Sequence, residues 1–180
     1  DNEIAEVAKK YGAEVPFIRP PELSDDHTAT VPVIKHAIEQ LQAIGGEVDC
    51  VCCIYATAPF VEKQDIKSAK ELLLESGVDY VLPVTTFDYP IQRALIRDEN
   101  NKIKMLYPEN LMTRSQDLPE TYHDSGQFYF GKAEAWIQEK PLLTGEVMCI
   151  KVERSKVQDI DTEEDWKQAE YMYRYLQEVR

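Results

Sequence analysis

Basic charge is what this sequence has least of. Its 180 residues carry 20 Lys and Arg against 33 Asp and Glu, a formal net charge of −13. No basic stripe is present to displace counterions from a phosphate backbone, which argues against nucleic acid as a partner. The same acidic excess sits badly with an anionic substrate unless cations are supplied locally or by further sequence. Four cysteines stand at 50, 52, 53 and 149 without a Cys-x-x-Cys pair, which argues against a zinc site. Three of them share one apolar run and read as small buried hydrophobes of a reduced, cytoplasmic protein. No apolar run approaches a membrane span, no signal-peptide pattern appears, and internal repeats and low-complexity tracts are absent. The chain opens on Asp1-Asn2-Glu3, already a helix start without a preceding strand, which predicts a piece of a longer protein.

What is present describes an ordinary globular chain, 43% hydrophobic and 29% charged, with length for one domain and a substantial core. Ile4, Val7, Ala8 and Tyr11 recur at helical spacing, and Gly12 ends that helix. Residues 13–21 form a proline-punctuated link that carries Arg19. Asp25, Asp26, Thr28 and Thr30 offer caps to a second helix with Ile34, Ala37, Ile38 and Leu41 inward, stopped by Gly45-Gly46. Residues 48–55 are too continuously apolar for a surface strand, which predicts a central strand buried on both faces. A helix over 62–76, with Ile66, Ala69 and Leu73 inward, and a strand over 79–87 follow. Strand, helix, strand at this spacing predicts a βαβ unit with parallel strands. Residues 94–98 and 102–107 read as a hairpin, 111–123 as polar and irregular, and 127–130 as a short aromatic strand. A helix over 132–138, a strand over 147–152 and a helix over 162–178, with Trp166, Ala169, Tyr173 and Leu176 inward, complete the chain. The class is α/β, with a mostly parallel sheet and an inserted hairpin and irregular excursion over 88–125.

The stretch 157–166 organises the rest. In an extended segment Asp159 and Asp161 share one face, and Ile160 between them points to the core. Thr162 then caps the last helix, with Glu163, Glu164 and Asp165 suited to its first turn. Two carboxylates at the end of a strand seat a hard cation such as Mg²⁺, which takes one or two protein oxygens and leaves the rest to water and phosphate. The alternative is a pair of solvated turn residues ahead of a helix. Ligands of open α/β sheets lie beyond the carboxyl ends of the strands, and here those ends carry 55–59, 87–93, Gly126 and 159–161.

Four motifs in order make the chain recognisable. Val15-Pro16-Phe17-Ile18-Arg19-Pro20 with Glu22-Leu23-Ser24-Asp25-Asp26, then Ile54-Tyr55-Ala56-Thr57-Ala58-Pro59-Phe60, lead to Asp124-Ser125-Gly126-Gln127-Phe128-Tyr129 and Val157-Gln158-Asp159-Ile160-Asp161-Thr162. Together they resemble the nucleotide-sugar cytidylyltransferases that activate sialic acids, across essentially the whole chain. Tyr-Ala-Thr-Ala-Pro-Phe departs from the Gln-Pro-Thr-Ser-Pro-Leu of typical CMP-sialic acid synthetases. With Tyr89-Pro90-Ile91-Gln92-Arg93 and Thr113-Arg114-Ser115-Gln116-Asp117-Leu118-Pro119, it is similar to the pseudaminic acid cytidylyltransferase branch.

The resemblance implies a Rossmann-like α/β sheet and transfer of CMP from CTP to an acidic nine-carbon sugar, pseudaminic acid above N-acetylneuraminic acid, with Mg²⁺ and with release of pyrophosphate. It implies a homodimer joined through the hairpin region. It also implies a Gly/Arg/Lys-rich phosphate loop and N-terminal strands ahead of residue 1, so the single domain over 1–180 would lack about its first fifty residues. Asp159 and Asp161 would hold the metal, and Arg19, Thr28 and Thr30 the cytidine. Arg93 or Arg114 would clamp the sugar carboxylate, and Tyr55, Ser125, Gly126, Gln127 and Tyr129 would line the sugar pocket. Capping of a helix by Thr28 and Thr30, and a half-buried strand aromatic at Tyr129, are the bland alternatives. The competing class is a non-catalytic sugar-binding or dimerisation module.

Overall fold

The computed structural model describes residues 1–25 and 27–178, so the expected cap Asp26 lies outside the described residues. The elements are α1 (Asn2–Lys10), α2 (Thr30–Ala43), β1 (Cys50–Ile54), α3 (Lys63–Ser76), β2 (Tyr80–Thr86), β3 (Leu95–Arg97), β4 (Ile103–Met105), β5 (Tyr122–Asp124), β6 (Phe128–Lys132), α4 (Ala133–Ile137), β7 (Val147–Lys151) and α5 (Glu163–Glu178). The class is α/β. By its contacts the chain forms two compact units, the first made of Asp1–Cys53, Ile66–Val81 and Tyr129–Met148, the second of Ile54–Asp65, Leu82–Phe128 and Cys149–Arg180.

The first unit holds a tight core of Ile38, Tyr80, Ala133, Ala135 and Trp136. The Tyr80 and Trp136 rings meet edge to face, with centroids 4.9 Å apart. A Cβ on Gly131 would stand 2.4 Å from Tyr80 Cδ1, so only glycine lets β6 pass this close. Tyr80 Oη donates to the Lys140 carbonyl at 3.1 Å, and Lys140 Nζ pairs with Asp79 at 2.8 Å. Ala69 and Leu73 of α3 are buried as its spacing predicts. Helix α1 is capped by Asp1, whose carboxylate accepts from Ile4 N at 2.9 Å. Its apolar stripe is uncovered, however, with Ile4 68% and Tyr11 81% exposed. Periodicity identifies an apolar face and says nothing of what lies against it.

The sheet corrects the expected topology. Its order is β1-β6-β2-β5, with β7 also on β2. Strand β6 is antiparallel to β2, with Tyr80 opposite Gly131, and β5 is antiparallel to β2, with Thr85 opposite His123. Backbone bonds from Tyr55 N to Gln127 O and from Ala133 N to Asp49 O make β6 antiparallel to β1 as well. Strands β1 and β2 therefore point the same way, as the crossover through α3 requires, but β6 lies between them. Bonds from Asp79 N to Glu146 O and from Val152 N to Val84 O set β7 parallel to β2. The sheet is mixed rather than mostly parallel, because a strand arriving late in the chain inserts between two early ones. Strand β1 ends the described order and is half-buried, with Ile54 53% exposed, where a doubly buried central strand was expected. Burial nonetheless pushes the Cys52 thiol up to about 12, in keeping with an inert apolar role for these cysteines.

In the second unit the hairpin falls where expected, with Leu95 opposite Met105 and Arg97 opposite Ile103. Asp98 Oδ1 accepts from Asn100 N and Lys102 N, both at 2.9 Å, and Asn101 takes the positive φ of the turn. Strand β5 occupies part of the stretch expected to be irregular; three residues are too few to display a period. Helix α5 buries Ala169, whereas Trp166 and Tyr173 are 59% and 57% exposed, against their expected inward placement.

Candidate active site

Three segments of the second unit lock together at the ends of its strands. Tyr55 N donates to the Gln127 carbonyl at 3.0 Å, and Ile160 N to the Thr57 carbonyl at 3.1 Å. Gln127 Nε2 donates to the Lys156 carbonyl at 2.5 Å. Gly126, at φ +65°, lies under Asp159, where an added Cβ would stand 3.2 Å from Oδ2. Both the left-handed φ and the close carboxylate demand glycine there. The loop after β1, the turn 125–127 and the segment 157–161 thus form one assembly, and Tyr55, Ser125, Gly126, Gln127 and Asp159 meet within it.

The carboxylates of Asp159 and Asp161 are exposed, and among the described residues neither has a hydrogen-bonding or ionic partner. Asp165 fixes the segment that bears them. Its Oδ2 accepts from Thr162 N at 2.8 Å, Thr162 Oγ1 at 2.7 Å and Asp161 N at 3.2 Å, and Thr162 Oγ1 accepts from Asp165 N in return. This is a reciprocal cap on α5. Bonds from Thr162 above all hold the Asp165 carboxyl below its ordinary value. Two carboxylates free of protein donors fit a hard cation that draws its remaining oxygens from water and phosphate. Among the described residues no group of three or more His, Cys, Asp or Glu gathers, so a site built wholly from side chains is not on offer.

Ser125 and Gln127 are 3% and 1% exposed, and Ser125 Oγ and Gln127 Oε1 have no partner among the described residues. Buried polar atoms left unpaired cost about 1–3 kcal/mol each.

Beside the assembly lies a cavity of about 790 Å³, whose wall includes Phe87, Tyr89, Arg93, His123, Arg154 and Val157. Its wall takes in Val157 of the 157–161 segment and His123, two residues before Ser125. Arg93 reaches this wall, but its Nη1 donates to the Leu111 carbonyl at 3.2 Å and its Nη2 to the Thr113 carbonyl. Arg114 is exposed and pairs with Asp117 at 3.0 Å. Two residues the sequence did not suggest, Arg154 and Lys156, also stand here, with Asp165, expected only as a first-turn acid of the last helix. Arg154 pairs with Asp88 at 2.7 Å on the cavity wall, Lys156 pairs with Glu62 at 3.0 Å, and Asp165 holds the carboxylate loop. The one sequence signal of Arg154 and Lys156 was proximity to Asp159 and Asp161.

The remaining expected residues belong to the first unit. Arg19 donates from Nε to Ser24 Oγ at 3.1 Å. Thr28 donates both its N–H and its hydroxyl to Asp25 Oδ1, at 2.7 and 2.8 Å, and does not cap α2, whose N-cap is Ala29. These donors, the His27 N–H first among them, hold Asp25 below its ordinary value. Thr30 opens α2, and half-buried Tyr129 packs against the core cluster.

A solved CMP:2-keto-3-deoxy-manno-octonic acid synthetase in complex with CTP shares this architecture, with a TM-score of 0.64 over 99% of this chain and 78% of that one. At 9% identity the likeness is one of fold alone. A sequence model of the cytidylyltransferase family matches residues 1–178. Pseudaminic acid cytidylyltransferase of Campylobacter jejuni is 42% identical over 174 residues, which are 97% of this chain and 75% of that protein. N-acylneuraminate cytidylyltransferase B of Danio rerio is 29% identical over 170 residues, 94% of this chain and 39% of that protein. The chain belongs to the cytidylyltransferase family.

Proposed function

We propose that the protein transfers CMP from CTP to a nonulosonic acid, with pseudaminic acid the favoured acceptor. The anomeric hydroxyl attacks the α-phosphorus, the bond to the β-phosphate oxygen breaks, and pyrophosphate leaves. One observation carries the reading: the assembly in which Asp159, one of two carboxylates without a partner among the described residues, lies against Gly126 in the turn that holds Ser125 and Gln127. Asp159 and Asp161 would hold Mg²⁺ against the nucleotide. When bound, that ion would neutralise phosphate charge and lower the pKa of the attacking hydroxyl. Ser125 and Gln127 would take up sugar hydroxyl or amide groups, and Arg19 and Thr28 would contact the cytidine. Identity to the Campylobacter jejuni relative, higher than to the Danio rerio one, supports the choice of acceptor. Four free cysteines suit a cytoplasmic setting.

A homodimer through the β3–β4 ribbon completes the proposal. Leu95, Ile96 and Ile103 are 57%, 42% and 65% exposed there, and a bare two-stranded ribbon is marginal in water. A monomer by light scattering at working concentration would remove it.

The test is pyrophosphate release from CTP and Mg²⁺ by the full-length protein, with pseudaminic and N-acetylneuraminic acids compared. Release is expected with the former, and a drop of at least ~100-fold in Asp161→Asn, the scale of lost transition-state charge stabilisation. Release with neither sugar would sink the reading, while equal release with both would discard only the choice of acceptor.

A further inference from the structure

We propose that Arg154 binds the carboxylate of the acceptor sugar in the cavity beside the Asp159–Asp161 segment, an inference that rests on the function proposed above. An acid sugar needs a cation on the cavity wall, and two arginines stand there, Arg93 and Arg154. Arg93 is committed, since its two terminal nitrogens donate to the Leu111 and Thr113 carbonyls. Swinging it onto a ligand would strip both carbonyls and loosen the excursion they belong to. Arg114 is absent from the cavity wall and pairs with Asp117.

Arg154 is placed and available. It precedes Asp159 by five residues, on the segment locked to Gln127 through the Lys156 carbonyl. Its Nη1 meets Asp88 Oδ1 at 2.7 Å and approaches the Phe87 carbonyl at 3.4 Å. The Arg154 and Asp88 side chains are 51% and 74% exposed, and an ion pair that open contributes little in water. Asp88 therefore acts as a placeholder that keeps the guanidinium at the cavity mouth. A substrate carboxylate, brought in with the sugar's binding energy and able to engage two guanidinium N–H groups at once, displaces it. The Phe87 and His123 rings, 4.9 Å apart on the same wall, offer apolar surface to the deoxygenated and N-acyl parts of the sugar.

The experiment is steady-state pyrophosphate release by the full-length protein, with sugar and CTP varied separately, for wild type, Arg154→Gln, Arg154→Lys and Asp88→Asn. Arg154→Gln is expected to raise the sugar KM on the order of 30-fold, the loss of a charged hydrogen-bonding partner, and to leave the CTP KM within about twofold. Arg154→Lys, which keeps the charge but not the fork, should fall between. Asp88→Asn should leave the sugar KM unchanged or lower it, because the guanidinium is released. A sugar KM unmoved in Arg154→Gln, an equal rise in Asp88→Asn, or a matching rise for CTP would make Arg154 a surface ion-pair residue and overturn the inference. Wild-type protein that releases no pyrophosphate with any nonulosonic acid would instead overturn the function on which it rests.

Discussion

The two units spend their side chains differently. In the first, large residues interlock around Trp136, with a half-buried ion pair of Lys140 with Asp79 and the Tyr80 hydroxyl engaged near the core, although Trp136 Nε1 and His36 Nδ1 are buried without a partner among the described residues. In the second, Ser125 and Gln127 likewise carry buried polar atoms unpaired among the described residues, but here two carboxylates also face solvent with no partner among those residues and a cavity of about 790 Å³ stays open. Packing of the first kind stabilises a fold. Free carboxylates beside an open cavity, as in the second, do little for stability and become useful when a ligand meets them.

That contrast can be broken by substitution. Trp136→Ala should cost about 3–5 kcal/mol in urea unfolding, since it deletes a fully buried ring at the centre of the core. A loss below about 1 kcal/mol would show that the first unit is not held in this way. Ser125→Ala should do the opposite. Removing an unpaired buried hydroxyl should leave stability unchanged or raise it by up to ~1 kcal/mol, while the sugar KM rises. A clear destabilisation would mean that the hydroxyl is already satisfied in the free protein. The smallest effect concerns acid. The Asp165 carboxyl is held below its ordinary value of 3.8, so its contribution is complete above that pH and is lost as pH falls through the lowered folded value. Unfolding midpoints followed into the carboxylate range should therefore fall less steeply in Asp165→Asn than in wild type, and parallel slopes would deny Asp165 this role.

Helices were the more legible part of the fold. The spacing of Ala69 and Leu73, the glycine at 12 and the threonine at 162 each carry a local signal that the structure obeys. Strand neighbours were not legible, because nothing within residues 48–87 reports that β6 will slip between β1 and β2. Exposure failed for a related reason. Tyr11, Trp166 and Tyr173 follow helical spacing, but their cover depends on surfaces remote in sequence. At the site, the D-x-D pair is a local pattern and the Ser-Gly-Gln turn stood out only through the family resemblance, while the contact of Gly126 with Asp159 needed the structure. Arg154 could not be read in the sequence, since what distinguishes it from Arg93 and Arg114 is how each guanidinium is already engaged.

The reciprocal cap between Thr162 and Asp165 has a dynamic consequence. One carboxylate both starts α5 and holds the amide of Asp161. The first turn of the helix and the Asp159–Asp161 segment therefore open and close as a single cooperative element. Whenever that turn frays, the spacing between the two site aspartates is lost with it, and any cation that bridges them would in turn slow amide exchange at the start of the helix.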